Sequence, residues 1–175
     1  LSYPKAWLEL QIKLYARFHQ KAPEIFYQQS EAIEASRMGG KVISPYFVTM
    51  NMQNKISGTT KEREKFVLLS PLSPVGRDNL DSVAIAGCLK PVDCTKQFHD
   101  DIFLYKFSKD IQVEGPEQIS ALMDQAPEIS KQFSLWDQHG SKIIRGRIII
   151  VPIKQALLYI QPLYLSARSA DGFPE

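Results

Sequence analysis

The stretch IIRGRIIIVPIKQALLYIQPLYL, residues 143–165, constrains the fold more than any other, because it is long and apolar enough to suggest a membrane-spanning helix. Such a helix needs roughly 20 predominantly apolar residues, and each Arg or Lys near its centre costs roughly 2.5–3.5 kcal/mol. Arg145, Arg147 and Lys154 would all sit inside it. Pro152 and Pro162 would each remove a helical hydrogen bond and clash with the preceding turn. Charges and breakers together outweigh the apolar total. The alternative is a pair of strands, since residues 148–151 are β-branched and residues 157–160 form a second short apolar run. Short continuous apolar runs suit strands covered on both faces. The expectation is therefore a buried hairpin broken by Lys154 and Gln155, with Pro152 and Pro162 at strand ends or bulges. Arg145 and Arg147 would share a solvated side of the pleat.

At 175 residues the chain is expected to be one domain, residues 1–175, able to bury a core of its own. A hydrophobic share of 44% with 23% charged residues argues against disorder. The 21 basic and 19 acidic residues leave only +2, too little for an electrostatic footprint on nucleic acid. Leu1-Ser2-Tyr3-Pro4 lacks an initiating Met and does not read as a signal peptide, so a piece of a larger protein is expected. Cys88 and Cys94 are too few for a disulfide-dense scaffold or a four-ligand zinc site. Two free thiols beside a Pro turn, or one bridge closing a short loop in an oxidising compartment, are the two readings.

Along the chain, residues 5–21 predict a helix with Pro4 in its first turn and a core stripe of Leu8, Ile12, Tyr15 and Phe18. A short helical turn over 24–29 follows, then another over 31–36 that Gly39 and Gly40 would end. From Ser44 the alternation of Tyr46, Val48, Met50 and Met52 predicts a strand, and residues 66–69 an antiparallel partner. Residues 53–65, with KEREK, read as a polar loop, and SPLSPVGRDNL as irregular backbone. Residues 82–88 are ambiguous between strand and helix, whereas 102–107 predict a strand carrying Phe103, Tyr105 and Phe107 on one side. Gly115-Pro116 and Ala126-Pro127 each open a helix, ending near Gln125 and Gln138, with Gly140 as the final stop. The sum is an α+β fold, a mainly antiparallel sheet with an N-terminal helix and a central helical pair.

Residue chemistry points away from catalysis. FHDD at 98–101 places three polar residues in sequence, and consecutive side chains do not converge on one ion. His139 is expected to interact with helix-end carbonyls, and His19 to lie on the surface. No nucleophile elbow, HExxH, phosphate loop or dinucleotide fingerprint is present. No metal or cofactor is expected. The most pointed polar cluster is Arg77, Asp78 and Asn79, where Arg77 offers a bidentate fork to a carboxylate or phosphate while Asp78 and Asn79 favour a turn. Trp136 is expected to anchor helix packing or an interface.

YPKAWLELQIKLYARFHQKAPEIFY, FVLLSPLSPVGRDNL, GPEQISALMDQAPEISKQFSLWDQHGSKIIRG and VPIKQALLYIQPLYL together resemble uncharacterised protein family 0182, large multi-pass bacterial and cyanobacterial membrane proteins. The likeness runs from about Ser2 to Glu175. It implies a parent with N-terminal membrane helices and a large extracytoplasmic region containing this chain, itself not membrane-spanning, and it implies a further strand beyond GFPE. The family's recurring elements map to Arg77, Asn79, Gly115, Pro116, Trp136 and Gly140, without known roles. CLKPVDCTKQFHDD and Arg147 depart from the family pattern. The resulting expectation is a non-enzymatic module for assembly or interaction, its partners being other parts of the parent or a second copy. The alternative is a cell-envelope enzyme or small-ligand-binding domain using Arg77, Asp78 and Asn79.

Overall fold

The computed structural model describes residues 3–56, 59–87, 101–108, 110–138, 140–153 and 156–167, with only the backbone for residues 51–56, 59–63 and 101. Cys88, Cys94, residues 98–100, His139, Lys154 and Gln155 lie outside the described residues.

The fold is α+β, and among the described residues all strand pairings are antiparallel. Helices α1 (Lys5–Phe18) and α2 (Pro23–Gln28) lead into β1 (Ile33–Ala35), then the two-residue strands β2 (Arg37–Met38) and β3 (Lys41–Val42). The long strands β4 (Tyr46–Ile56) and β5 (Thr59–Pro74) precede β6 (Ser82–Gly87) and β7 (Asp101–Lys106). Helices α3 (Pro116–Gln125) and α4 (Pro127–Trp136) come next. Strands β8 (Ser141–Arg145), β9 (Ile149–Ile153), β10 (Ala156–Ile160) and β11 (Leu163–Ala167) close the described chain.

The main sheet runs β1-β5-β6-β7, and β4 also pairs with β5. β1 and β4 share one edge of β5: Ala35 pairs with Leu72 and Tyr46 with Leu69, so residues 36–45 leave the ladder opposite Ser70 and Pro71 and then rejoin it. Pleat alternation gives the sheet two apolar faces. Ile33, Leu68, Leu72, Ala84 and Ala86 pack against Leu8 and Ile12 of α1. Tyr46, Val48, Val67, Leu69, Val83 and Ile85 pack against Ile148 and Ile150. The Tyr46 hydroxyl joins these layers, donating to the Ile150 carbonyl (3.1 Å) and accepting from the Ile150 N–H (2.8 Å).

Several expectations change. Residues 31–36 are not helical: β1 pairs with β5, and Gly39 and Gly40, with φ of +56° and +73°, turn β2 into β3. Those angles match a type I′ hairpin turn. The polar loop expected over 53–65 is instead the far half of the β4–β5 ribbon, whose register extends to Ile56 opposite Thr59. SPLSPVGRDNL is strand as far as Pro74, because Leu72 is held between β1 and β6 and Ser70 pairs with Ala84 of β6. Phe18 is 61% exposed and lies off the core stripe. It continues a second stripe with Trp7, Leu10 and Leu14 along the outer side of α1.

The C-terminal region is one long hairpin with a kink. Arg145 pairs with Leu163 and Ile149 with Ile160, so residues 146–148 face only 161 and 162. This is a β-bulge, with Pro162 inside it as expected. The Gly146 N–H donates to the Pro162 carbonyl (2.8 Å), and Gln161 Nε2 donates to the Gly146 carbonyl (2.9 Å). Pro152 instead lies within β9, opposite Leu157. It has the same parity as Ile150, whose N–H and C=O turn away from β10 toward Tyr46, so its missing donor falls off the ladder. Arg145 is not on a solvated side: it lies over the Phe133 ring (5.1 Å) and donates to Gln161 Oε1 (2.9 Å), Ser120 Oγ (3.3 Å) and Asp124 Oδ1 (2.5 Å).

Candidate functional site

A groove of about 1040 Å³ lies on the α1 side of the sheet. Its walls are α1, α2 and the excursion at 36–45. Helical spacing sets the α1 wall, since Glu9, Ile12, Lys13 and Ala16 form a strip beside the buried Leu8 and Ile12 positions. Pro23 opens α2, which brings Phe26 and Tyr27 to one end. The floor comes from Ile33, Ile43, Pro45 and Ser70.

Ser70 is fully buried, and among the described residues its Oγ meets no hydrogen-bond partner. It lies on the pleat face shared by Leu68 and Leu72, among the residues that line the groove. The neighbouring Ser36 and Ser73 hydroxyls, by contrast, satisfy each other at 2.7 Å. Charged groups stand at the mouth: Lys13 and Arg17 are exposed, and Arg37 pairs with Glu34 at 3.1 Å. An exposed pair of this kind adds little stability.

The residues singled out from sequence lie elsewhere. Arg77 and Asp78 are exposed and Asn79 half-buried on the turn after β5, outside the groove. That turn packs against the start of α3: the Leu80 N–H donates to the Val113 carbonyl (2.8 Å), and a Cβ on Gly115 would lie 1.8 Å from the Asp78 carbonyl oxygen. The motif elements around Arg77–Asn79 and Gly115–Pro116 thus meet in space, and only a residue without a side chain fits at position 115. Trp136 ends α4 and is 40% exposed, while Gly140 takes φ +91° just before β8. His19 is half-buried rather than on the surface: its ring stacks on Tyr15 at 4.5 Å and Nδ1 donates to the Tyr15 carbonyl (2.8 Å). Among the described residues no group of three or more His, Cys, Asp or Glu side chains could hold a metal ion, and no helix is long and apolar enough to cross a membrane.

A second surface is apolar and open. In the β9–β10 hairpin, Leu157 and Tyr159 face the core, so Ile153, Ala156, Leu158 and Ile160 lie on the outward side, where Ile149 and Val151 are partly buried and still touch the core cluster. Ile153, Leu158 and Ile160 are 45–49% exposed, which corrects the expectation of a hairpin covered on both faces.

A model of the Uncharacterised protein family (UPF0182) matches residues 1–136. The chain belongs to this family. A UPF0182 protein of Methylococcus capsulatus is 42% identical over 100% of this chain and 20% of its own length. One from Syntrophobacter fumaroxidans is 40% identical over 99% of this chain and 19% of its own, and one from the cyanobacterium Synechococcus is 35% identical over 99% and 18%. The chain therefore spans about a fifth of the relatives it matches. No solved structure matches it.

Sequence reasoning missed Ser70 because a serine in FVLLSPLSP interrupts an apolar run without signalling what stands above it. The groove draws on α1, α2, the excursion and β5, segments spread over more than sixty positions, and no local pattern marks such a junction.

Proposed function

We propose that this chain is a non-enzymatic assembly module on the extracytoplasmic side of a multi-pass membrane protein, and that the outer face of the β9–β10 hairpin docks against another part of the same polypeptide. The outer face carries the reading: it is apolar at every paired position, with Ile153, Leu158 and Ile160 nearly half exposed. Contiguous open apolar surface of this kind marks interaction sites. Four-fifths of each relative lies outside the matched span, so covering chain is available. The membrane setting and the side rest on the family resemblance.

Arg77, Asp78 and Asn79 would anchor the alternative, an envelope enzyme or ligand-binding domain. They occupy an open turn whose backbone is engaged by Leu80, Val113 and Gly115, so the assembly reading is preferred.

The test uses full-length protein carrying a photo-crosslinking residue at Leu158 or, as control, at exposed Gln132 on α4. An intrachain crosslink to a segment outside this chain is expected from Leu158 and not from Gln132. Crosslinking to lipid alone, or none from Leu158, refutes docking. A phosphatase fused after this chain should be active only outside the cytoplasm, and an inactive fusion refutes the assigned side.

A further inference from the structure

The geometry points to a second role: the groove between α1, α2 and the 36–45 excursion binds an uncharged, mainly apolar small molecule that carries one hydrogen-bonding oxygen at its inner end. The volume, about 1040 Å³, stands at the upper end of ordinary ligand sites, which span roughly 300–1,000 Å³. Ile12, Ile33, Ile43 and Pro45 make the floor apolar, so a ligand's hydrocarbon body gains by leaving water there. Ser70 sets the polarity of the inner end. Its hydroxyl is fully buried and has no partner among the described residues, although buried hydroxyls in folded proteins are as a rule satisfied. A ligand oxygen placed against it supplies the missing bond, and a pure hydrocarbon leaves it unmade.

The ligand's charge follows from where the cations are. Lys13, Arg17 and Arg37 are exposed at the mouth, and Arg37 is already paired with Glu34. A carboxylate beside Ser70 would be stripped of water with a single neutral hydroxyl in return, which is unfavourable. A neutral alcohol, phenol, ketone or ester meets no such penalty. Backbone architecture shapes the site, because Ser70 pairs with Ala84 on one edge and has no ladder partner on the other, where residues 36–45 leave the sheet to wall the groove.

The experiment titrates the ¹⁵N-labelled chain with 2-naphthol, naphthalene and 2-naphthoate, following amide shifts. 2-Naphthol should shift Ala35, Ile43 and Ser70 and bind about tenfold tighter than naphthalene, the factor expected for one buried hydrogen bond. 2-Naphthoate should bind more weakly than 2-naphthol. Ser70→Ala removes an unpaired hydroxyl, so it should fold with an unchanged or higher melting temperature and bind 2-naphthol and naphthalene equally. The proposal is overturned if the wild type does not prefer 2-naphthol to naphthalene, or if the preference survives in Ser70→Ala. Shifts confined to the outer face of β9–β10 also overturn it, since they would show adsorption to open apolar surface instead.

Discussion

Gly115→Ala tests the junction between the turn after β5 and helix α3. The added Cβ would stand 1.8 Å from the Asp78 carbonyl oxygen and 3.0 Å from its carbon. Real Cβ contacts essentially never fall under 3.0 Å, so the two backbones must part by at least 1.2 Å. Neither neighbour is a flexible side-chain end that can swing away. Parting them strains the bond from the Leu80 N–H to the Val113 carbonyl, beside fully buried Pro116 and nearly buried Leu80. Overpacking costs about 1–3 kcal/mol and a weakened hydrogen bond about 1 more, so a loss of about 2–4 kcal/mol is expected. For a chain of this size that lowers the melting temperature by about 5–15 °C. Position 115 has φ −85°, which alanine adopts freely, so the effect is steric and not conformational. Gly140→Ala is the complementary control: its φ is +91° with open space around it, and its cost is strain of about 1–2 kcal/mol without a clash. Calorimetric melting of both variants decides the matter. A Gly115→Ala melt within about 2 °C of wild type, or one milder than Gly140→Ala, refutes the argument.

Tyr46→Phe should cost about 2–3 kcal/mol in denaturant unfolding, because it strands both the N–H and the C=O of Ile150. Burial pushes the Tyr46 phenol well above its ordinary value near 10, and burial with help from Glu114 pushes Tyr159 up to about 12. Both groups hold their protons more tightly folded than unfolded, so their stability is complete below about pH 10 and falls as pH rises beyond it. Tyr46→Phe should therefore flatten the alkaline branch of a stability-against-pH curve, and an unchanged slope above pH 10 would count against the burial argument. Arg145→Ala should lose about 1–2 kcal/mol by detaching β8 from α3 and α4, and Arg145→Lys should recover little of it because an ammonium lacks the planar fork that reaches Asp124, Gln161 and Ser120 together. Full recovery by Lys in chemical denaturation would show that charge alone suffices.

Elements governed by local chemistry were legible in the sequence. Pro116 and Pro127 open α3 and α4 as expected, Leu8 and Ile12 mark the buried side of α1, and the two apolar runs after Ile148 form a hairpin. Elements decided by a distant partner were not. Residues 31–36 contain good helix formers, yet β5 offers an open edge and pairing with it overrides propensity. KEREK carries no apolar strand signal because its strand-period alternation is in sign of charge and not in hydropathy. The apolar runs of the C-terminal hairpin predict cover on both faces, and the described residues cover one, because an apolar run does not say whether the chain that covers it lies within the same span. Arg77, Asp78 and Asn79 stood out by residue type, whereas the groove depends on Ser70, whose significance lies in what surrounds it.

The detour between Ala35 and Tyr46 is pinned at both ends to the same neighbouring strand, so its middle bears no responsibility for alignment of the sheet. Insertions or deletions at its exposed tip, residues 39–42, should leave the buried Ile43 and Pro45 in place while reshaping the rim of the cavity that Arg37 and Val42 border. Among relatives of this chain, that short segment is where binding preference can drift at the least risk to folding.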